Sequence, residues 1–329
     1  MPTKKKQNPF ALITPLLEDP EITEIMIDGS ARITVEKLGK IEDTGLHFQS
    51  DDEVKAVIKE TLKMAGVELE EGKTIYDVRV GDNSRMIAIL APTSINGHNV
   101  TFRKWLKRQV TWEKLLEYNA ISTAARDLIQ SALQAHVSIL IAGGTSSGKT
   151  TVANRIIELI SPAERVVVVE QAHELQFDHP RSIFLEAGGA IATPINDLLT
   201  AGSKMRPDWL VIGELHGAEA LHAMQIMGNG HSVIATMHAT SAENALTRLE
   251  ALCLMANLGL GMDEIRQTIV SALRLIVYQE RLPNGKRKVM QVVELKGLED
   301  SRYILQPLMR YDVEQDIFEM TGAKPSWEK

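Results

Sequence analysis

The chain has 329 residues, 44% of them hydrophobic and 24% charged, with a net charge of −7. That length exceeds what one core readily fills and predicts two domains. The acidic balance argues against a sheath for nucleic acid or an anionic membrane, the single cysteine excludes an intrachain disulfide, and no apolar run approaches the ~20 residues that span a bilayer.

The opening "MPTKKKQNPF" carries three lysines with no apolar stretch behind them, so it reads as a solvated tail and not a secretory signal. From Phe10 the pattern is a short helix, then strands and a turn in "ITEIMIDGSARITVEKLGKIE". A helix begins near Asp51, where Val54, Ile58, Leu62 and Met64 recur at helical spacing and Gly66 ends it. Short strands follow in "YDVRV", "SRMIAILAP" and "HNVTFRKW", separated by "GDN" and "NG" turns. These elements predict a smaller α+β domain over 1–105. The polar, partly helical "LKRQVTWEKLLEYNAIST" predicts a linker over 106–123.

Over 124–329 the rhythm becomes strand–helix alternation. Strands are expected in "VSILIAGG", "ERVVVVEQ", "RSIFLEAG", "DWLVIGEL" and "HSVIATMHA", with helices beginning near Lys149, Pro194, Ala218 and Ser241. Continuous apolar strands separated by helices predict an α/β fold whose mostly parallel sheet is covered on both faces. Cys253, in the apolar run "EALCLMANL", reads as a buried core residue. "LRLIVYQERLPNGKRKVMQVVELK" reads as a hairpin around "PNGK".

Gly143, Gly144, Thr145, Ser146, Ser147, Gly148, Lys149 and Thr150 spell G-x-x-x-x-G-K-T between an apolar strand and an amphipathic helix, with Thr151 following. This is the context a P-loop requires. The glycines permit close backbone approach, the loop amides and helix N-terminus face phosphates, Lys149 supplies charge, and the Thr150 hydroxyl can ligate Mg²⁺. Hydrolysis also needs carboxylates, and two strand ends offer them: Glu170 and Glu174 after "ERVVVV", and Glu214 after "DWLVIG". His231 and His238 bracket the apolar run in "NGHSVIATMHAT". The residues alone leave metal ligation, acid–base chemistry and core hydrogen bonding open, although a zinc site would want further ligands and His216 and His222 fall on another segment.

Gly143–Thr151, "VEQAHE", "MRPDWLVIGELHGAEAL" and "GNGHSVIATMHATSAENALTRLE" resemble, in order and spacing, the P-loop, acidic box, Walker B and His box of the type II/type IV secretion ATPases. "EIMIDGSARITVEKLGK", "YDVRVGDNSRMIAILAP", "INGHNVTFRKW" and "KVMQVVELKGLEDSRYILQPLMRYD" resemble the Tad/Flp pilus-assembly branch, so the likeness covers about 20–312. It implies a RecA-like P-loop domain preceded by a PAS-like domain, and a homo-oligomeric ring of six subunits. ATP and Mg²⁺ are the implied substrate and metal. The implied work is assembly, or retraction, of a Tad-type pilus, or secretion, at the cytoplasmic face of the membrane. The implied partner is an inner-membrane platform protein, and no nucleic acid is expected.

Carried onto this sequence, the resemblance makes Glu174 the activator of water and Glu214 the organiser of the metal. It makes His231 and His238 couplers of the γ-phosphate, and it gives Arg79, Arg85 and Arg103 contacts with nucleotide. The sequence departs from the pattern twice: Gln171 replaces the acidic box aspartate, and His216 replaces the arginine after Glu214. Both remove charge near the reacting phosphate and make a low-turnover regulatory subunit an alternative. A nucleic-acid translocase on the same core is the other alternative, and it would want a basic, aromatic-bearing channel. The four-cysteine zinc insertion of the type II branch is absent.

Overall fold

The computed structural model describes residues 8–328 apart from 38, 82–83, 105–109 and 189–191. The lysine-rich start of the tail, most of the "GDN" turn and part of the expected linker therefore lie outside the described residues. The chain divides into two compact units between Arg108 and Gln109.

The first unit contains α1 (Thr14–Glu18), β1 (Ile22–Asp28), β2 (Arg32–Lys37), β3 (Lys40–Asp43), α2 (Asp51–Met64), β4 (Ile75–Val80), β5 (Ser84–Ile89) and β6 (Asn99–Arg103). Its six strands pair antiparallel in the order β3-β2-β1-β6-β5-β4. Period-two alternation sends Ile25, Ile27, Met86, Ala88, Val100 and Phe102 to one face, where they meet Val54, Val57, Ile58 and Leu62 of α2. Met64 was expected on that stripe but is 60% exposed, because the buried positions follow 54, 57, 58, 61 and 62 at the helical period and Met64 falls beyond them. On the other face Arg79 stands opposite Arg85, Arg85 opposite Arg103, and Arg103 opposite Glu24.

The second unit contains α3 (Trp112–Glu117), α4 (Thr123–Gln134), β7 (Ile139–Gly143), α5 (Lys149–Ile157), β8 (Val166–Glu170), β9 (Ser182–Glu186), α6 (Ile195–Lys204), β10 (Trp209–Leu215), α7 (Glu219–Gly228), β11 (Ser232–His238), α8 (Ala242–Leu254), α9 (Met262–Ala272), β12 (Leu275–Arg281), β13 (Arg287–Glu299), β14 (Arg302–Asp312) and β15 (Ile317–Met320). Of the stretch read as a linker, α3 places Leu115 in this unit's core, and Trp112 Nε1 donates to Arg155 O at 3.1 Å.

One nine-stranded sheet runs β15-β14-β13-β12-β7-β11-β10-β8-β9. β12 through β9 in that order are parallel, and β13, β14 and β15 add an antiparallel edge. Alternate residues of the apolar strands bury on opposite faces. Leu140, Val167, Leu210 and Ala235 meet α6–α9, while Ile141, Val168, Val211 and Ile234 meet α4 and α5. Helix α9 and strands β14 and β15 were not anticipated from the pattern of residues. Among the described residues no helix is long and apolar enough to cross a membrane.

Behind the "PNGK" turn, Lys288 is wholly buried. Its ammonium donates to Asn119 O at 2.7 Å and to Asp316 Oδ1 at 2.9 Å, and lies 4.7 Å from the centre of the Tyr311 ring. Val289 N donates to Ala120 O at 2.8 Å beside it.

Candidate functional site

The glycine-rich loop leaves β7 and enters α5 at the carboxyl edge of the parallel strands. Gly148 caps α5 with φ of 95°, a left-handed conformation that glycine adopts without strain. Gly143 is required for a second reason: a Cβ there would stand 2.3 Å from Gln279 O and 2.6 Å from Ser147 Oγ. The backbone therefore folds tightly against β12.

Lys149 is only 8% exposed. Its ammonium donates to Gly144 O at 2.9 Å and to His238 Nδ1 at 3.1 Å. Burial holds its pKa below the ordinary lysine value, against the opposing pull of Glu214 and Glu174. The lysine, the histidine and both carboxylates thus share one electrostatic neighbourhood.

Sheet register explains the convergence. His238 on β11 and Gln279 on β12 are both opposite Gly143, one on each side of β7. On β10 the pairing with β11 slips between Ile212 and Leu215, which inserts an extra residue and re-aims Glu214. His238 Nε2 lies 3.0 Å from Glu214 Oε1. The approach is out of line for a hydrogen bond, so among the described residues that buried oxygen has no hydrogen-bond partner. Gly213 in the slip has no room for a side chain, since a Cβ would meet Glu170 Cγ at 2.7 Å.

Glu170 ends β8 with 3% exposure. Its Oε1 accepts the amides of Glu174 and Leu175, both at 2.9 Å, and its Oε2 lies 2.9 Å from His173 Nδ1. This carboxylate is a strut for the turn that presents half-buried Glu174. Of the two acidic-box glutamates, Glu170 is spent on backbone, and Glu174 is half-buried with its charge acting on Lys149.

His231 and His238 were read as the two ends of one buried strand, both at the nucleotide site, and the structure puts them at opposite ends of β11. His231 precedes the first residue of β11 and His238 is its last, so seven residues at ~3.3 Å each put them roughly 23 Å apart. The phosphate loop lies at the His238 end. His231 instead sits at the opposite edge, where its carbonyl accepts Ser138 Oγ at 3.5 Å. Both substituted positions are exposed. The Gln171 carbonyl accepts Gly188 N at 2.8 Å. His216 N donates to Glu219 Oε1 at 2.7 Å. In the first unit Arg85 pairs with Asp77, and Arg103 Nε lies 3.7 Å from Glu24.

Two residues of the site escaped the sequence reading. Gln279, 1% exposed, has its amide nitrogen where a Gly148 Cβ would be 2.9 Å away. Arg287 Nε donates to Ser146 O at 2.9 Å. The signal available was the polar "QER" and "KRK" flanking the hairpin turn, but which strand would neighbour β7 was not written there.

Three buried polar atoms, Ser147 Oγ, Gln279 Oε1 and Glu214 Oε1, have no hydrogen-bond partner among the described residues. Buried polar atoms left open in this way mark a site built to receive polar groups. Together with the glycine cradle and the buried ammonium they fit phosphates. Among the described residues no group of three or more His, Cys, Asp or Glu is placed to hold a metal, and a magnesium ion arriving with phosphates needs only one or two side chains.

A phosphate loop at the carboxyl ends of parallel strands, with its lysine among carboxylates and an imidazole, defines a RecA-like P-loop ATPase. The chain belongs to the family of type II/IV secretion system proteins, whose pattern matches residues 6–301. It is 28% identical over 292 residues to the conjugal transfer protein TrbB of Rhizobium radiobacter, covering 87% of this chain and 88% of that protein. Its fold is similar to the ATPase DotB of Yersinia pseudotuberculosis, with a TM-score of 0.63 and 16% identity over 92% of this chain and 82% of the other. It is likewise similar to the pilus retraction motor PilT with bound ADP, with a TM-score of 0.60 and 18% identity over the same shares of the two chains.

Proposed function

We propose that this chain is a motor ATPase, working as a ring of six copies, whose hydrolysis of ATP drives assembly of a Tad/Flp-type pilus. The observation that carries the reading is the convergence of Lys149, His238, Glu214 and Glu174 on one loop at the sheet edge. Residues 143–151 embrace the phosphates, and Lys149 and Arg287 supply cations. Thr150 and Glu214 would hold Mg²⁺, which supplies charge neutralisation on the phosphate oxygens when bound. Glu174 takes the proton of the attacking water. His238, bonded to Lys149 on one side and facing Glu214 on the other, carries a change at the phosphates into β10 and β11. His231 is left out of the reacting set.

In this reading the N-terminal domain ends with β6, and the ATPase domain begins with α3. The protein works at the cytoplasmic face of the membrane on an inner-membrane platform protein, without nucleic acid. The row Arg79, Arg85 and Arg103 serves a neighbour's nucleotide. The direct test is phosphate release by the purified chain. Glu174→Gln should still bind ATP and lose about 10²–10⁴-fold in turnover; a variant with full turnover would move the base elsewhere. Subunits carrying Lys149→Ala, mixed with subunits in which all three arginines are alanine, should partly recover activity. Mixed rings without recovery would place the arginines in cis or outside the reaction.

A further inference from the structure

The parallel sheet has a second edge, opposite the phosphate loop, and it carries a cluster of unneutralised charge. Residues Arg165, Arg181 and Asp208 immediately precede β8, β9 and β10. Those strands are neighbours in register, Trp209 beside Val166 and Val166 beside Ser182. Their lead-in residues therefore stand side by side. With Met205, Arg206 and Pro207 they line a cleft of about 720 Å³, within the size range of small-molecule sites.

The backbone there is laced tightly. Arg165 O accepts the amides of Asp208 and Trp209 at 2.9 and 3.0 Å, and Arg181 O accepts Val166 N at 3.0 Å. The one carboxylate in the cleft offsets only one of the three arginines, and its Oδ2 accepts Arg165 N at 2.6 Å. Among the described residues none of the three guanidinium groups has a carboxylate within ion-pair distance. Arg165 Nε is buried with no acceptor, and Arg181 donates to the Ala163 carbonyl. Arg206 is held in a left-handed conformation, φ 55°, ahead of Pro207. Three like charges lining one cleft repel one another, and a bound anion converts that repulsion into attraction. Guanidinium forks match phosphate oxygens.

We infer that this cleft is a second anion site that takes a phosphate-bearing group, separate from the nucleotide loop and at the other end of the strands. A compact cluster on a chain of net charge −7 selects a small phosphorylated ligand or a phospholipid headgroup. A long nucleic acid would need a basic track with aromatic platforms.

The test uses the full chain with ADP saturating the phosphate loop, so that ADP binding reports on the nucleotide site separately. Calorimetric titration with pyrophosphate should show one further binding event per chain, weakening as salt rises. Arg165→Gln with Arg181→Gln, and Arg181→Gln with Arg206→Gln, should each weaken it about tenfold or more while ADP affinity and thermal unfolding stay unchanged. Vesicles of phosphatidylglycerol, against phosphatidylcholine controls, separate the sources. Co-sedimentation displaced by pyrophosphate identifies a headgroup, and pyrophosphate binding without co-sedimentation identifies a soluble ligand. No binding beyond ADP, affinity in both double variants unchanged from that of the unsubstituted chain, or capture of an acidic peptide with rejection of pyrophosphate would each overturn the inference.

Discussion

Replacing Glu170 by alanine tests whether this carboxylate is a strut or a reagent. Its Oε1 accepts two backbone amides at 2.9 Å, one of them from buried Leu175. Alanine leaves both donors without that acceptor. Hydrogen bonds to a charged acceptor contribute about 1.5–3 kcal/mol each, so the lower figure for two gives about 3 kcal/mol. At roughly 2–4 °C per kcal/mol for a unit of this size, the melting point should fall by about 6–12 °C. The same turn presents Glu174, and a displacement of ~1 Å at a reacting group costs on the order of 10²-fold in rate. Glu170→Gln is the control: its amide oxygen still accepts both N–H groups, and its NH₂ can donate to His173 Nδ1. Thermal unfolding by circular dichroism and phosphate release at saturating ATP give the two readouts. The glutamine variant should keep near-normal stability and most turnover, and alanine should lose both. If glutamine loses turnover as fully as alanine while melting like wild type, the carboxylate charge itself takes part and the strut account is wrong.

Three further outcomes follow from the site and its surroundings. Because burial depresses the Lys149 pKa, the free chain loses that proton as pH rises through the lowered value, and phosphates restore it. ADP binding at alkaline pH should therefore take up a proton, read as a buffer-dependent calorimetric enthalpy, and Lys149→Arg should abolish the dependence. Arg287→Ala removes the bond to Ser146 O and should raise KM for ATP about three- to tenfold with a smaller change in kcat; an unchanged KM would remove Arg287 from the loop's support. Burial, aided by Glu250, pushes the Cys253 thiol up to about 12, so it should resist a disulfide reagent at pH 8 until the chain is unfolded.

What the residues revealed in advance was whatever lies close along the chain. The phosphate loop, its strand and its helix are contiguous, so glycine spacing and apolar runs defined them. Gln279 lies more than a hundred residues from Gly143 and meets it only because β12 pairs with β7; no local pattern encodes that choice of neighbour. Glu214 was legible as a strand-end carboxylate, but the slip that aims it depends on the partner strand. His231 shows what a resemblance adds to local pattern: the strand between the histidines was legible, while the shared site was implied by the family alone. A buried strand between the two histidines sends them to opposite edges of the sheet. The arginine row needed both kinds of information: residue type was visible, while the alignment of Arg79, Arg85 and Arg103 came from two separate pairings.

Lys288 gives the second unit a load path. Its ammonium ties the carbonyl of Asn119, just after α3, to β13, whose first residue, Arg287, donates to Ser146 O of the phosphate loop. Strand hydrogen bonding continues the tie from Ala120 to Val289. Tension reaching Asn119 would therefore pass through short, buried links to the strand whose first residue holds Ser146 of the glycine-rich loop. Such a joint is stiff because an ammonium buried among a carbonyl, a carboxylate and an aromatic ring has no solvent into which to swing. Stress can then be exchanged between the chain segment entering this unit and the loop at the phosphates without first being absorbed by a flexible hinge.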